Sequence, residues 1–223
     1  MYNISAGRSA GWSGLAFVVL AILSTLLFGG APPEVASSPA TIGSFLIAHR
    51  HGLMISAWLG FPTAAVFLWF AVGVRAHLAH SAGLADGLPL YAISAAIATA
   101  AIAFGCSAVL ATLAIATIPT DDLPGWWALY WLLSGPIISM SIAIFIFATA
   151  HSMRRHGSAS EGLTLYGYFA GFVAAVSTLA LFFRSGPLAP TEWVTFVFGS
   201  VAFVIWVIAT SIWLIRSPGA SAA

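Results

Sequence analysis

The sequence predicts an all-α fold, a polytopic membrane bundle of about six transmembrane helices with N-terminus and C-terminus cytoplasmic. Three observations carry that prediction. Charged residues are 6% of the 223, where a soluble domain carries about 25%. Hydrophobic residues are 61%, mean hydropathy is +1.02, and neither Lys nor Gln occurs. Finally, no charged residue interrupts the chain between Arg50 and Arg75, an interval that at 1.5 Å per helical residue crosses a hydrocarbon core of about 30 Å. A chain of this size and hydropathy suits one transmembrane domain over residues 1–223 and leaves no room for a separate soluble domain.

The first span is expected over about 12–29. Arg8 precedes an apolar run from Ser13 to Phe28, and the Pro-rich and Ser-rich stretch Ala31–Ala40 follows it. A basic start, an apolar core and small residues also describe a signal peptide. The length of the run favours a retained helix with the Pro-rich stretch as an outer loop. The second span is expected over 51–74 and the third over 89–117, within a run from Leu88 to Ile118 that is longer than a bilayer needs and must tilt, kink or protrude. Turn residues Pro119 to Gly125 end it, and Trp126, Trp127, Tyr130 and Trp131 open the fourth span, 126–151, as an interfacial aromatic belt. The fifth and sixth spans are expected over 163–183 and 193–215.

Orientation is read from arginine. With the N-terminus inside, Arg8, Arg75, Arg154, Arg155 and Arg216 fall on the cytoplasmic side and only Arg50 and Arg184 outside, as the positive-inside rule asks. A faint likeness joins Trp58 and Pro62 of the second span to Trp131 and Pro136 of the fourth, with spacings too loose to establish a repeat.

The pattern His49-Arg50, Leu53, Phe67-Leu68-Trp69-Phe70, Arg75 and Leu78 resembles an uncharacterised bacterial family of small six-span membrane proteins, a domain of unknown function. The resemblance is centred on the second span and implies a fold and a topology but no activity. Thr41-Ile42-Gly43-Ser44 stands where that pattern leads one to expect an acidic residue, which weakens the idea of a fixed outer ion pair.

Four groups of residues are candidates for chemistry. His49, Arg50, His51, Asp121, Asp122, Arg184 and Glu192 would lie at the outer face, where a convergent cluster could bind a charged headgroup or a metal or serve acid and base; span ends carry such residues as interface anchors too. At the inner face, His77 and His80 at i and i+3, with His151, are weak metal candidates, and cations near a helix C-terminus are favoured by its dipole without any function. Pro62 and Pro136, with Trp58 and Trp131, suggest kinks opening a cavity lined by Ser56, Thr63, Ser134, Ser139 and Ser141. Gly167 and Gly171 allow close helix packing.

No cofactor is expected. Haem held by two histidines needs facing residues at matching depth, and the third, fifth and sixth spans have no histidine. Cys106 stands alone and reads as a packing residue. Net charge of +1 and scattered arginines argue against nucleic acid. No ionisable residue sits at the centre of a span, which argues against a coupled pump. The expected partner is the lipid bilayer, with a homo-oligomer or a larger membrane complex beyond it. The favoured reading is a non-enzymatic binding, accessory or assembly component of the bacterial inner (cytoplasmic) membrane. Alternatives are an enzyme acting on a lipid or quinone-like substrate at the outer interface, and a small-molecule carrier.

Overall fold

A computed structural model of the chain describes residues 4–82, 87–183, 185–186, 189–191 and 197–216. Among the described residues seven helices follow one another: α1 (Ile4–Leu27), α2 (Pro39–Ala48), α3 (Arg50–Ala82), α4 (Leu88–Ile115), α5 (Leu123–His156), α6 (Glu161–Phe182) and α7 (Ala202–Arg216). No strand occurs among the described residues. Among the described residues six helical segments are long and apolar enough to cross a membrane, the sixth being α7 with the turn before it, Gly199–Arg216, and the chain is a multi-pass integral membrane protein.

These boundaries follow from local chemistry. Ser38 caps α2, its hydroxyl accepting the Thr41 N–H at 3.2 Å, and Pro39 occupies the first helical position, where its missing N–H costs nothing. Ser160 caps α6 in the same way. The C-terminal end of α5 closes on Gly157 in the left-handed region, φ 59°, with Ser158 N–H donating back to the Met153 carbonyl at 3.2 Å. The Leu88–Ile118 run resolves into a 28-residue helix, α4, which ends where Ala116 turns extended. At 1.5 Å per residue, α4 is about 42 Å long and must tilt or project beyond a core of about 30 Å.

Neighbours in sequence are neighbours in space, and the ring closes. α1 packs on α3, α3 on α4, α4 on α5, α5 on α6, α6 on α7, and α7 returns to α1; α3 also reaches across to α5. Small residues make most of these seams. A Cβ placed on Gly11 would meet Ile215 and the Ser211 carbonyl of α7 at 2.6 and 2.7 Å. On Gly52 it would meet the Leu27 carbonyl of α1, and on Gly60 the Ser107 hydroxyl of α4. On Gly167 it would lie 2.8 Å from Ala150 of α5 and 3.0 Å from Trp206 Nε1 of α7, and on Gly171 3.1 Å from the Phe147 ring of α5. The α4–α5 seam is tied instead by the Thr99 hydroxyl donating to Ser141 Oγ at 2.9 Å. Without water to drive helices together, close van der Waals approach and such hydrogen bonds hold a membrane bundle.

One part of the interior is filled by aromatic rings. Phe67 and Phe70 of α3, Phe145 of α5 and Trp206 of α7 are buried, and Phe203 of α7 nearly so. Phe67 meets Phe145 and Phe203 edge-on at 5.5 and 6.0 Å, and Phe145 meets Trp206 at 5.6 Å. Phe17 of α1 joins at 5.3 Å from Phe67. Edge-to-face pairs of this kind are worth about 0.5–1.5 kcal/mol beyond area burial. Toward α2 a second buried cluster includes Phe28, Leu53 and Trp127, and a cavity lies between the two.

Two replacements test the ring. Gly167→Val forces side-chain atoms into Ala150 and Trp206, and is expected to destabilise by roughly 1–3 kcal/mol as overpacked interiors do. Gly162→Ala meets nothing within 4 Å and should leave stability unchanged. Thermal unfolding in detergent, followed by loss of the monodisperse species, separates the two.

Candidate functional site

The cavity is built on a place where one helix gives up its regular ladder. Pro136 inside α5 has no N–H, and residues Leu133–Ile137 widen into a π-turn. The Ser139 hydroxyl donates to the Gly135 carbonyl at 2.7 Å, a back-bond one turn along the helix to a carbonyl that also accepts the Ile138 N–H. A second π-turn, Val197–Val201, precedes α7. A Cβ on its Gly199 would lie 3.1 Å from Ser177 Oγ of α6 and 3.9 Å from Ser139 Oγ of α5. The two irregular segments therefore approach one another on the wall of the same cavity.

Two chambers share Ser24, Ser56, Tyr130 and Ser134. The inner chamber, about 280 Å³, is bounded below by Phe17, Phe67 and Phe203 and lined further by Gly60, Thr63, Thr99, Cys106 and Ser107. The outer chamber, about 580 Å³, reaches the α2-end loops at Gly30–Pro32 and Pro190–Thr191 and takes in Phe28, Trp131, Ser139 and Ser200. Gly30, at φ 118°, allows the chain leaving α1 to turn along this wall.

No charged side chain lines either chamber among the described residues. The polar groups are hydroxyls, and several are tied down. Ser24 and Ser56 lie 2.8 Å apart through their Oγ atoms, and Ser56 also donates to the Ser24 carbonyl at 3.0 Å, joining α1 to α3. Thr63 donates to Leu59 O at 2.7 Å. Others have no partner: the Trp131 indole N–H, the Ser134 hydroxyl and the Thr191 hydroxyl are buried unpaired, and all three residues wall the outer chamber. A buried polar group left unpaired costs about 1–3 kcal/mol, and such groups also occur away from both chambers, at Thr149, Ser152, Trp206, Thr210 and Ser211.

Around Trp131 the rings are ordered. Phe28 stacks on Tyr130 at 6.0 Å with 17° between planes, and Trp131 stands edge-on to both, at 6.0 and 5.2 Å. Trp127, fully buried one turn earlier, donates its indole N–H to the Pro33 carbonyl at 3.2 Å.

The residues singled out from sequence distribute unevenly. Ser56, Thr63, Ser134, Ser139 and Trp131 line the cavity, whereas Ser141 is used in the α4–α5 seam. Trp58 departs from expectation: it is 65% exposed on the outer surface of α3, because Ser56, Gly60, Thr63 and Phe67 take the inward stripe and residue 58 falls on the other face. Pro62 shares that displacement and is absent from both linings, and Pro136 is buried behind the wall it distorts. Gly167 and Gly171 lie against α5 and α7 within the ring.

At the α2 end, the polar residues are occupied separately. His49 Nδ1–H donates to the Phe45 carbonyl at 3.0 Å with its ring against Phe45. Arg50 Nε donates to the Ala114 carbonyl at 3.0 Å, placing a cation at the end of α4 where the helix dipole favours one. His51 is exposed, and Asp121 and Asp122 border a shallow surface pocket with Trp126 and Leu129. Arg184 and Glu192 lie outside the described residues. At the other end, His77 packs edge-on to Trp213 at 4.5 Å, His80 is exposed, and His151 Nδ1 is 3.0 Å from the Tyr168 hydroxyl. No group of three or more His, Cys, Asp and Glu able to hold a metal occurs among the described residues.

Sequence reading missed α2, which it treated as loop and approach to the second span. The Ser38-Pro39 pair, an N-cap followed by a first-turn proline, was the available signal. It also missed Gly11, Gly14 and Gly52 as packing residues, Thr99 and Ser24 as partners of predicted hydroxyls, and the floor of aromatic rings. No family model, curated protein or solved structure matches this chain.

The Ser24–Ser56 contact has a measurable consequence. A double-mutant cycle with Ser24→Ala and Ser56→Ala should show a coupling of roughly 0.6 kcal/mol, and no more than about 1.7, the range of side-chain hydrogen bonds between membrane helices. Unfolding of the four proteins in mixed micelles gives the value.

Proposed function

We propose that this protein is a non-enzymatic binding component of the bacterial inner membrane, whose six-helix ring holds a lipophilic molecule in the cavity between the α2-end loops and the aromatic floor. The observation that carries the reading is a cavity of about 580 Å³ walled by the rings of Phe28, Tyr130 and Trp131 and by the small hydroxyl residues Ser24, Ser56, Ser134 and Ser139. Ligand pockets are concave, largely apolar and of roughly 300–1,000 Å³, with a few placed polar groups. An enzyme reading draws less support, since His49 and Arg50 are bound to backbone carbonyls and His51, Asp121 and Asp122 are exposed.

The resemblance around the second span and the arginine bias support an inner-membrane setting, with the termini cytoplasmic and α2 on the outer side. Outward-facing Trp12, Trp58, Trp69 and Phe172 suit contact with acyl chains or with another subunit of a membrane complex, and in this reading the ring itself is the binding unit.

Native mass spectrometry on gently extracted protein tests the binding. The wild type is expected to retain a non-protein mass at fixed stoichiometry, and Ala103→Leu, which fills the inner chamber, to lose most of it. A bare wild type, or equal retention by the variant, overturns the reading. Topology has its own check: reporter fusions after Gly87 and Gly157 should report cytoplasm, and fusions after Ser38 and Asp122 the outside.

A further inference from the structure

The seam between α5 and α6 carries a stripe of polar and aromatic residues on the surface of the bundle, and none of them lines either chamber. We infer that the end of this seam nearest Gly157 binds an anionic phospholipid. The phosphate accepts from the Arg154 guanidinium and from the His151–Tyr168 pair, and an acyl chain lies along Phe147 and Phe172. This site is independent of the cavity.

Packing of the seam aligns these residues. A Cβ on Gly171 would lie 3.1 Å from the Phe147 ring, and one on Gly167 would lie 2.8 Å from Ala150. His151 Nδ1 is 3.0 Å from the Tyr168 hydroxyl, and the Phe147 and Tyr168 rings are 6.3 Å apart. Each step toward the C-terminus of α5 is thus matched by one toward the N-terminus of α6. Arg154 comes three residues after His151 and four after Ala150, so it continues the same stripe. His151 and Arg154 are exposed, and Phe172, one turn on from Tyr168, is 61% exposed.

The polar end suits an anion. Arg154 has no ion pair among the described residues, and Glu161, which opens α6, has none either. The helix dipole favours a cation in the last turn of α5 and a carboxylate in the first turn of α6. It does not set the face of the helix, and Arg154 shares its face with a hydrogen-bonded pair from two helices. That pair leaves one donor over whichever way its proton lies. When Tyr168 donates to Nδ1, His151 Nε2–H remains; when Nδ1–H donates to the Tyr168 oxygen, the phenol O–H remains. A phosphodiester oxygen accepts from either, and its charge complements the guanidinium.

The other end suits a hydrocarbon chain. Toward the bilayer centre the stripe becomes apolar through Phe147 of α5 and Phe172 of α6, while the long Arg154 side chain reaches toward the headgroup layer. A free phosphate would use only the polar end. A phospholipid uses both, and an anionic one brings no cation of its own to compete for the phosphate.

Native mass spectrometry of the full chain, titrated in detergent with phosphatidylglycerol and phosphatidylcholine of identical acyl chains, tests the site. The wild type should bind the first phosphatidylglycerol about fivefold more tightly than phosphatidylcholine, the worth of one arginine at a membrane surface. Arg154→Gln should abolish that preference and Arg154→Lys keep most of it. The double variant His151→Phe, Tyr168→Phe should weaken both lipids roughly threefold, as loss of one hydrogen bond does, and leave the preference intact. Arg75→Gln, an exposed arginine near the corresponding end of α3, should change neither. Thermal unfolding identifies loss of fold, and the exposed Arg154 replacements decide the matter should the double variant not fold. Equal affinity of the wild type for the two lipids, unchanged selectivity in Arg154→Gln, or wild-type binding by a folded double variant overturns the inference. Equal loss of selectivity in Arg75→Gln overturns it too, by assigning the preference to the summed charge of that end. So does displacement of phosphatidylglycerol by an equal concentration of inorganic phosphate, since the apolar stripe would then contribute nothing.

Discussion

Backbone hydrogen bonding is the constraint on which this structure depends. Inside hydrocarbon no water is available to an N–H or C=O, so every spanning segment has to be helical from one interface to the other. Departures are tolerated only where the freed groups are buried in protein or line a cavity. In this chain the π-turns Leu133–Ile137 and Val197–Val201 both border the outer chamber. Pro136 breaks the ladder of one of them, and Ser134 and Gly135 of that turn line the chamber opposite Gly199 and Ser200 of the other.

Ring closure follows from how little the side chains at the seams occupy. Glycines on α1, α3 and α6 let their neighbours approach until a single methyl group would collide. Where a glycine is lacking, between α4 and α5, Thr99 and Ser141 supply a hydrogen bond. With the seams tight, the interior is decided by side-chain volume. Large rings from α1, α3, α5 and α7 form one packed cluster, and Phe28, Ile42, Leu46, Leu53, Leu110, Leu113 and Trp127 form a second toward α2. The cavity remains where serine, alanine and glycine face inward between them.

Much of the architecture was legible because membrane spans are read from composition alone, and composition does not depend on what a helix touches. The helices α3 to α6 lie where the apolar runs lie, with α5 ending at Gly157 and α6 beginning after Ser160. The cavity was legible only in part. Hydroxyls and Gly-Pro pairs indicate that a helix is irregular and polar on one side, but not which side faces inward. Trp58 and Trp131 look equivalent in sequence, each a few residues before a proline, yet one is 65% exposed and the other walls the chamber. That difference is rotational, and it is set by which face the neighbouring helices cover.

The sequence by itself determined that this is a membrane protein, how many helices can span and roughly where each ends, since scarcity of charge, run length and capping residues are local properties. The tertiary structure alone decided that the helices close into a ring, that α2 forms at one end of it, and that Trp131, Ser134 and Thr191 come together around one cavity with their polar atoms buried and unpaired. The physical reason is that being buried and unpaired is a relation among helices. A donor in an isolated segment has no property that distinguishes it, and Trp127 differs from Trp131 only by the carbonyl of Pro33 that another part of the chain places within reach.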